Sequence, residues 1–194
     1  MILRRRSLIP SGPVPWAYDD FNRPNNEFVT TNWVEATWEG FQILNGKATP
    51  DIGNEADMDW HRRTNTNYCY AECTIDMRSV DDRFYLRICG DSPSGIGNGY
   101  DNGYEIRCNE ANNTIYLRRE GITVTTVATG GYIWTEPHVW RIEHDGSGRV
   151  QVWLDGVEVI DYTDGSPLSG DIVGISGRGV PGSLNFGPFE AGDL

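Results

Sequence analysis

An all-β chain folded as a two-sheet antiparallel sandwich is what this sequence predicts, on three observations. The first is the stretch 138–163, HVWRIEHDGSGRVQVWLDGVEVIDYT, in which three short runs alternate between two faces. Val139, Arg141 and Glu143 oppose Trp140, Ile142 and His144; Val150, Val152 and Leu154 oppose Gln151 and Trp153; Val157, Val159 and Asp161 oppose Glu158, Ile160 and Tyr162. Successive side chains point to opposite faces only in a strand, so a period of two reads as sheet. The second observation is what separates the runs: Asp145-Gly146-Ser147-Gly148 and Asp155-Gly156 supply residues that tolerate the positive φ of tight hairpins. The third is composition, with 23 Gly, 7 Trp and 9 Tyr and little that favours helix. A domain of 194 residues buries about 70% of its extended surface, enough for one core without a metal or disulfide.

The elements follow in order. Residues 1–17 read as an extended N-terminal arm, since Pro10, Pro13 and Pro15 cannot join a helix or a central strand. Arg4, Arg5 and Arg6 make the arm basic and suit it to docking on a partner. They resemble the charged start of a secretion signal, but Ser7-Leu8-Ile9 before Pro10 is far short of the ~7–15 apolar residues such a signal needs. No signal peptide is expected. Residues 18–194 form the sandwich: Tyr18 to Phe21 as a first strand, Asn22 to Asn26 as a turn, then strands around Trp33, Trp38 and Phe41 to Leu44. The segment 45–67 is polar with strand-like Ala56 to Trp60. Long antiparallel strands follow at Tyr68–Met77, Arg83–Cys89, Tyr104–Cys108, Thr114–Arg119 and Ile122–Ala128, and the last lie at Ile172–Ser176 and Ser183–Phe189. If the first and last strands pair, Phe21 meets Phe186 or Phe189.

Charge limits the partners. The net charge is −12, and without the three arginines of the arm the rest carries 13 basic against 28 acidic side chains. Nucleic acid is not an expected partner, because phosphate binding requires cations. No run approaches the ~20 apolar residues of a membrane span, so no membrane insertion is expected. Cys69, Cys73, Cys89 and Cys108 form no C-x-x-C pair. Cys69 and Cys73 share a strand face with Ile75 and read as buried thiols, with two disulfides open to a chain that matures outside a reducing compartment.

The residues carry a resemblance. Trp140-x-Ile142-x-His144, followed by Val150-x-Val152-Trp153-Leu154-Asp155-Gly156-Val157-x-Val159, resembles the central hairpins of concanavalin A-like and laminin-G-like jelly rolls. Asp19-Asp20-Phe21-Asn22-Arg23-Pro24, with Trp33 and Phe41-x-Ile43-x-Asn45-Gly46, is similar to the opening of such domains in bacteriophage minor tail proteins, and the likeness extends over residues 18–190. It implies a virion structural component, made in the host cytoplasm, that assembles with itself or other virion proteins and presents loops to a host cell-surface glycan. The alternatives are a glycoside hydrolase of the laminarinase-like fold and a purely architectural module.

Residue chemistry supports binding over turnover. A glycosidase needs two carboxyl groups about 5–9.5 Å apart, and Glu55-x-Asp57-x-Asp59 is the strand-spaced acidic triplet. The E-x-D-x-x-E pattern of related glucanases is not intact, because Trp60 stands where its last Glu belongs. His61, His138 and His144 have no metal-ligand spacing, and His144 reads as a half-buried imidazole beside Trp140 and Ile142. For sugar stacking the candidates are Trp38, Trp60, Tyr100 and Trp134, with Trp16 at the arm, while Trp33, Trp140 and Trp153 suit places in or beside a core. No cofactor is required. The long Gly-rich connection 90–103 offers Asp91, Asn98, Asp101 and Asn102 as oxygen ligands of the kind calcium takes, without the register of a dedicated loop.

Overall fold

The computed structural model describes residues 15–25, 33–35, 40–51, 55–61, 68–79, 81–90, 103–109, 114–128 and 136–194. They form β1 (Pro15–Asp19), β2 (Val34–Glu35), β3 (Phe41–Leu44), β4 (Lys47–Pro50) and β5 (Glu55–His61). Then come β6 (Tyr68–Met77), β7 (Arg83–Gly90), β8 (Tyr104–Asn109), β9 (Thr114–Arg119) and β10 (Ile122–Ala128). The series closes with β11 (His138–Asp145), β12 (Arg149–Leu154), β13 (Val157–Thr163), β14 (Ile172–Arg178) and β15 (Leu184–Asp193). No α-helix occurs among the described residues.

The strands make two antiparallel sheets. The eight-stranded sheet runs β13-β12-β11-β6-β15-β4-β3, with β1 also beside β15, and the seven-stranded sheet runs β10-β9-β8-β7-β14-β5-β2. Alternation decides which face of each sheet is interior. From the eight-stranded sheet Ala71, Cys73, Ile75, Trp140, Ile142, Val150, Val152 and Leu154 enter the core, and from the other Phe84, Leu86, Ile106, Ile115, Leu117 and Ile175 meet them. Phe84 and Trp140 join the layers edge to face, with ring centroids 4.9 Å apart. Complete burial of each such side chain contributes about 1.5–3 kcal/mol.

The hairpins form where Gly was expected. Asp155 (φ 50°) and Gly156 (φ 77°) turn β12 into β13, and Asn45-Gly46 and Glu120-Gly121 make the same two-residue positive-φ turn elsewhere. First and last strands pair, with Tyr18 opposite Glu190 and Asp19 opposite Phe189. Trp33 lies between the two phenylalanines of this junction, its centroid 6.1 Å from Phe21 and 4.9 Å from Phe189. Asp19 fixes the corner by accepting from Phe21 N (2.8 Å), Arg23 Nη2 (2.6 Å) and Trp33 Nε1 (2.9 Å).

Several expectations need correction. β1 begins at Pro15, so Pro15 to Ala17 belong to the sheet rather than to the arm. Proline is tolerated there because it is the first residue of its strand. Trp16 is half-buried and packs against the core. β4 went unforeseen, because Lys47-Ala48-Thr49-Pro50 lacks a β-branched apolar pattern; Ala48 pairs with Phe186 and is fully buried. Trp153 lies outside the core, since period two sets it opposite Val152 and Leu154, which are buried. His144 is completely buried, its ring 5.3 Å from that of Tyr104.

Candidate functional site

The face of the seven-stranded sheet turned away from the core gathers Arg, Glu and Tyr side chains. Its composition follows from three strands that read polar at every second position: Arg83-x-Tyr85-x-Arg87 in β7, Glu105-x-Arg107 in β8 and Tyr116-x-Arg118 in β9. The intervening Phe84, Leu86, Ile106, Ile115 and Leu117 enter the core, so the polar set is forced to the other face. Register then aligns it in rows. One row runs Arg118, Glu105, Arg87, Gly174 and Asp59 across β9, β8, β7, β14 and β5. The next runs Tyr116, Arg107, Tyr85, Ser176 and Asp57, and a third runs Thr114, Asn109, Arg83, Arg178 and Glu55.

These side chains hold one another in place. Arg118 donates to the Glu105 carboxylate and, through Nε at 3.0 Å, to the Gly121 carbonyl. The Arg107 guanidinium stands 5.7 Å from the ring centres of both Tyr85 and Tyr116, and Arg118 lies 6.0 Å from that of Tyr85. A guanidinium resting on aromatic faces keeps its in-plane N–H donors for other partners. Although they face away from the core, Arg87 and Glu105 are each 1% exposed and Tyr85 is 3% exposed, so the surface is recessed. Ser176 Oγ is buried there without a hydrogen-bond partner among the described residues. At the end of the same sheet a cavity of about 360 Å³ is lined by Ser79, Asp81, Asp82, Arg83, Arg178 and Val180.

A second hollow, about 330 Å³, lies on the outer face of the eight-stranded sheet between Glu72, Val139, Arg141, Glu143 and Trp153. Its charges are largely committed to each other. Arg141 pairs with Glu72 (3.4 Å) and Glu143 (2.5 Å) and lies 3.9 Å from the Tyr70 ring centre. Burial, with the Glu190 carboxylate alongside, pushes the Tyr70 phenol up to about 12.

Of the residues singled out from sequence, Trp38, Tyr100, Trp134, Asp91, Asn98, Asp101 and Asn102 lie outside the described residues, as do Arg4, Arg5, Arg6, Pro10 and Pro13. Trp60 occupies the β5 position paired with Val173. Glu55, Asp57 and Asp59 do fall in the rows of the recessed face, by backbone register. Tyr85, Arg87, Glu105, Arg107, Tyr116 and Arg118 were missed, although their i, i+2 recurrence in successive strands was a usable signal. Among the described residues no three His, Cys, Asp or Glu side chains group to hold a metal ion.

Similar folds recur among solved structures. The carbohydrate-binding module CBM66 from Bacillus subtilis aligns with TM-score 0.64 and 14% identity over 84% of this chain and 96% of that one. A Bacillus subtilis protein with a galectin-like fold aligns with TM-score 0.68 and 12% identity, covering 92% and 96%. The chain has a galectin-like jelly-roll fold. The catalytic domain of an endo-1,3-beta-glucanase (laminarinase) from Thermotoga petrophila shares it, with TM-score 0.63, 13% identity and coverage of 93% and 97%. No protein-family model and no curated protein sequence matches the chain. Identities this low establish the fold, and the same fold carries binding modules and hydrolases.

Proposed function

We propose that this jelly roll is a saccharide-binding structural module of a bacteriophage virion, that it binds without turnover, and that its sugar site is the recessed face of the seven-stranded sheet. One observation carries the site: Tyr85, Arg87, Glu105, Arg107, Tyr116 and Arg118 are aligned across β7, β8 and β9. Planar donors, a carboxylate acceptor and aromatic faces are what a pyranose needs, because its hydroxyls take directed hydrogen bonds while its C–H faces stack on rings. Similarity of fold to a carbohydrate-binding module agrees with this reading. The virion setting rests on the similarity of Asp19-Asp20-Phe21-Asn22-Arg23-Pro24, with Trp33 and Phe41-x-Ile43-x-Asn45-Gly46, to the opening of phage minor tail domains. There the basic arm would dock on a virion partner or a second copy, and the recessed face would meet a host-surface glycan.

A glycan array probed with the full chain tests the site. A retained ligand should bind at least 10-fold more weakly to Arg107→Ala and to Tyr116→Ala, each still folded by circular dichroism. Equal binding by both variants would remove the site from this face.

The hydrolase reading keeps one favourable observation. Asp57 and Asp59 occupy neighbouring rows of that same face, and i, i+2 strand positions lie about 6.6 Å apart. Incubation with β-glucans and bacterial wall glycans separates the readings. Binding predicts no released reducing ends, whereas release that stops in Asp57→Asn would make the protein an enzyme.

A further inference from the structure

Inside the core lies a cluster that the sheet-face reading leaves unused. The Sγ atoms of Cys69, on β6, and Cys89, on β7, are 3.5 Å apart, and Cys89 Sγ is 3.6 Å from His144 Nδ1. Both cysteines are free and buried. Cys73, by contrast, turns its sulfur toward the Gly187 carbonyl at 3.8 Å.

Alternation along β7 does not account for Cys89 being inside. Leu86 and Ile88 face the core, so Arg87 and Cys89 should both face away. Cys89 instead has φ 56°, and the pairing of β7 with β14 shifts register there, from Arg87 opposite Gly174 to Gly90 opposite Ile172. This is a β-bulge with its turning residue in the left-handed region, a place where glycine is usual. The bulge rotates the Cys89 side chain inward to meet Cys69.

We propose that Cys69 and Cys89 are a disulfide-forming pair, a covalent clasp between the two sheets that closes when a small-molecule disulfide oxidises the chain. Each strand lies inside its own sheet, β6 between β11 and β15 and β7 between β8 and β14, so one bond ties the two layers together. The sulfurs need to approach by about 1.5 Å to reach bonding distance. In the first step one cysteine thiolate attacks oxidised glutathione, forming a mixed disulfide and releasing one glutathione thiol. The second cysteine thiolate then attacks the protein sulfur of that mixed disulfide and releases the other glutathione. Two protein thiols are oxidised, one glutathione disulfide is reduced, and the two protons pass to the glutathione thiolates. Such a bond persists only in an oxidising compartment.

The test is refolding of the full chain in a glutathione redox buffer, with thiols counted by maleimide mass labelling after denaturation. Two thiols should be lost without a glutathione adduct, and peptide mapping should give one linked species joining the segments of Cys69 and Cys89. By the chain-entropy relation for a loop of this size, the oxidised form should melt about 6–12 °C higher, reversibly with dithiothreitol. Both results should persist in the Cys73→Ala, Cys108→Ala double variant and vanish in Cys69→Ala. Four free thiols after oxidative refolding, a bond to Cys73 or Cys108, or an oxidised form that melts no higher than the reduced one would each overturn the proposal. The peptide map of the unmutated chain decides the matter even if a variant does not fold.

Discussion

Asp164 has little room to move. Its carboxylate accepts from Tyr104 Oη (2.6 Å), Arg119 Nε (2.6 Å) and Ser166 N (2.8 Å), and Leu168 N donates to Tyr104 Oη at 3.0 Å. Tyr104 and Arg119 belong to the seven-stranded sheet, while Asp164 follows β13 of the other, so one carboxylate joins two layers. Burial pushes its pKa up, but the bonds from Tyr104, Ser166 and Arg119 outweigh that and leave it below the ordinary value. A depressed folded pKa means that the contribution is present above the unfolded value of ~3.9 and is lost as pH falls through the folded one. Asp164→Asn should therefore cost about 1–3 kcal/mol near neutral pH. In urea unfolding the gap between variant and wild type should narrow below about pH 4. A gap independent of pH would mean that the carboxylate acts by shape rather than charge. At this scale the sequence was uninformative, because nothing near Asp164 in the chain points to Tyr104, its partner 60 positions away.

Among the elements, hairpins were the most legible because their chemistry is local. Asp155-Gly156 and Asp145-Gly146-Ser147-Gly148 both turn where the alternating runs break. Yet the two glycines differ. A Cβ on Gly156 (φ 77°) meets nothing within 4 Å, whereas one on Gly148 (φ 113°) would lie 2.4 Å from the Asp164 carbonyl oxygen. Gly156→Ala should cost about 1 kcal/mol for the left-handed backbone alone. Gly148→Ala should cost more, about 2–4 kcal/mol, since strain adds to a clash with main chain. Chemical denaturation of the two variants side by side checks the order, and equal losses would refute the steric account. The strands of the recessed face were legible as strands, and the alignment of their Arg and Tyr side chains was not. Arg87 and Glu105 are 18 residues apart and become neighbours only through the β7–β8 register. Cys89 was less legible still, because its inward turn comes from a bulge that period-two reasoning cannot foresee.

For the whole molecule, stability lies in the contact between layers. Phe84 is fully buried and meets Trp140 across the sandwich, so Phe84→Ala removes both a large buried surface and an aromatic pair. The expected loss is about 3–5 kcal/mol, against about 0.5 kcal/mol or less for exposed Ile122→Ala. Ile122 is 70% exposed on β10 at the sheet edge. Thermal or urea unfolding that failed to separate these variants would argue against a single shared core.

What the sequence determined alone was the all-β class, most strand positions and the Gly-bearing turns, since alternation and turn chemistry act between residues close along the chain. The tertiary structure decided which strands neighbour one another. It thereby assembled the Arg and Tyr rows on the seven-stranded sheet, placed Trp153 outside the core, and brought Cys69 to Cys89. Those outcomes depend on register between strands distant in sequence, and local pattern carries no record of register until two sheets pack and one face of each must be buried.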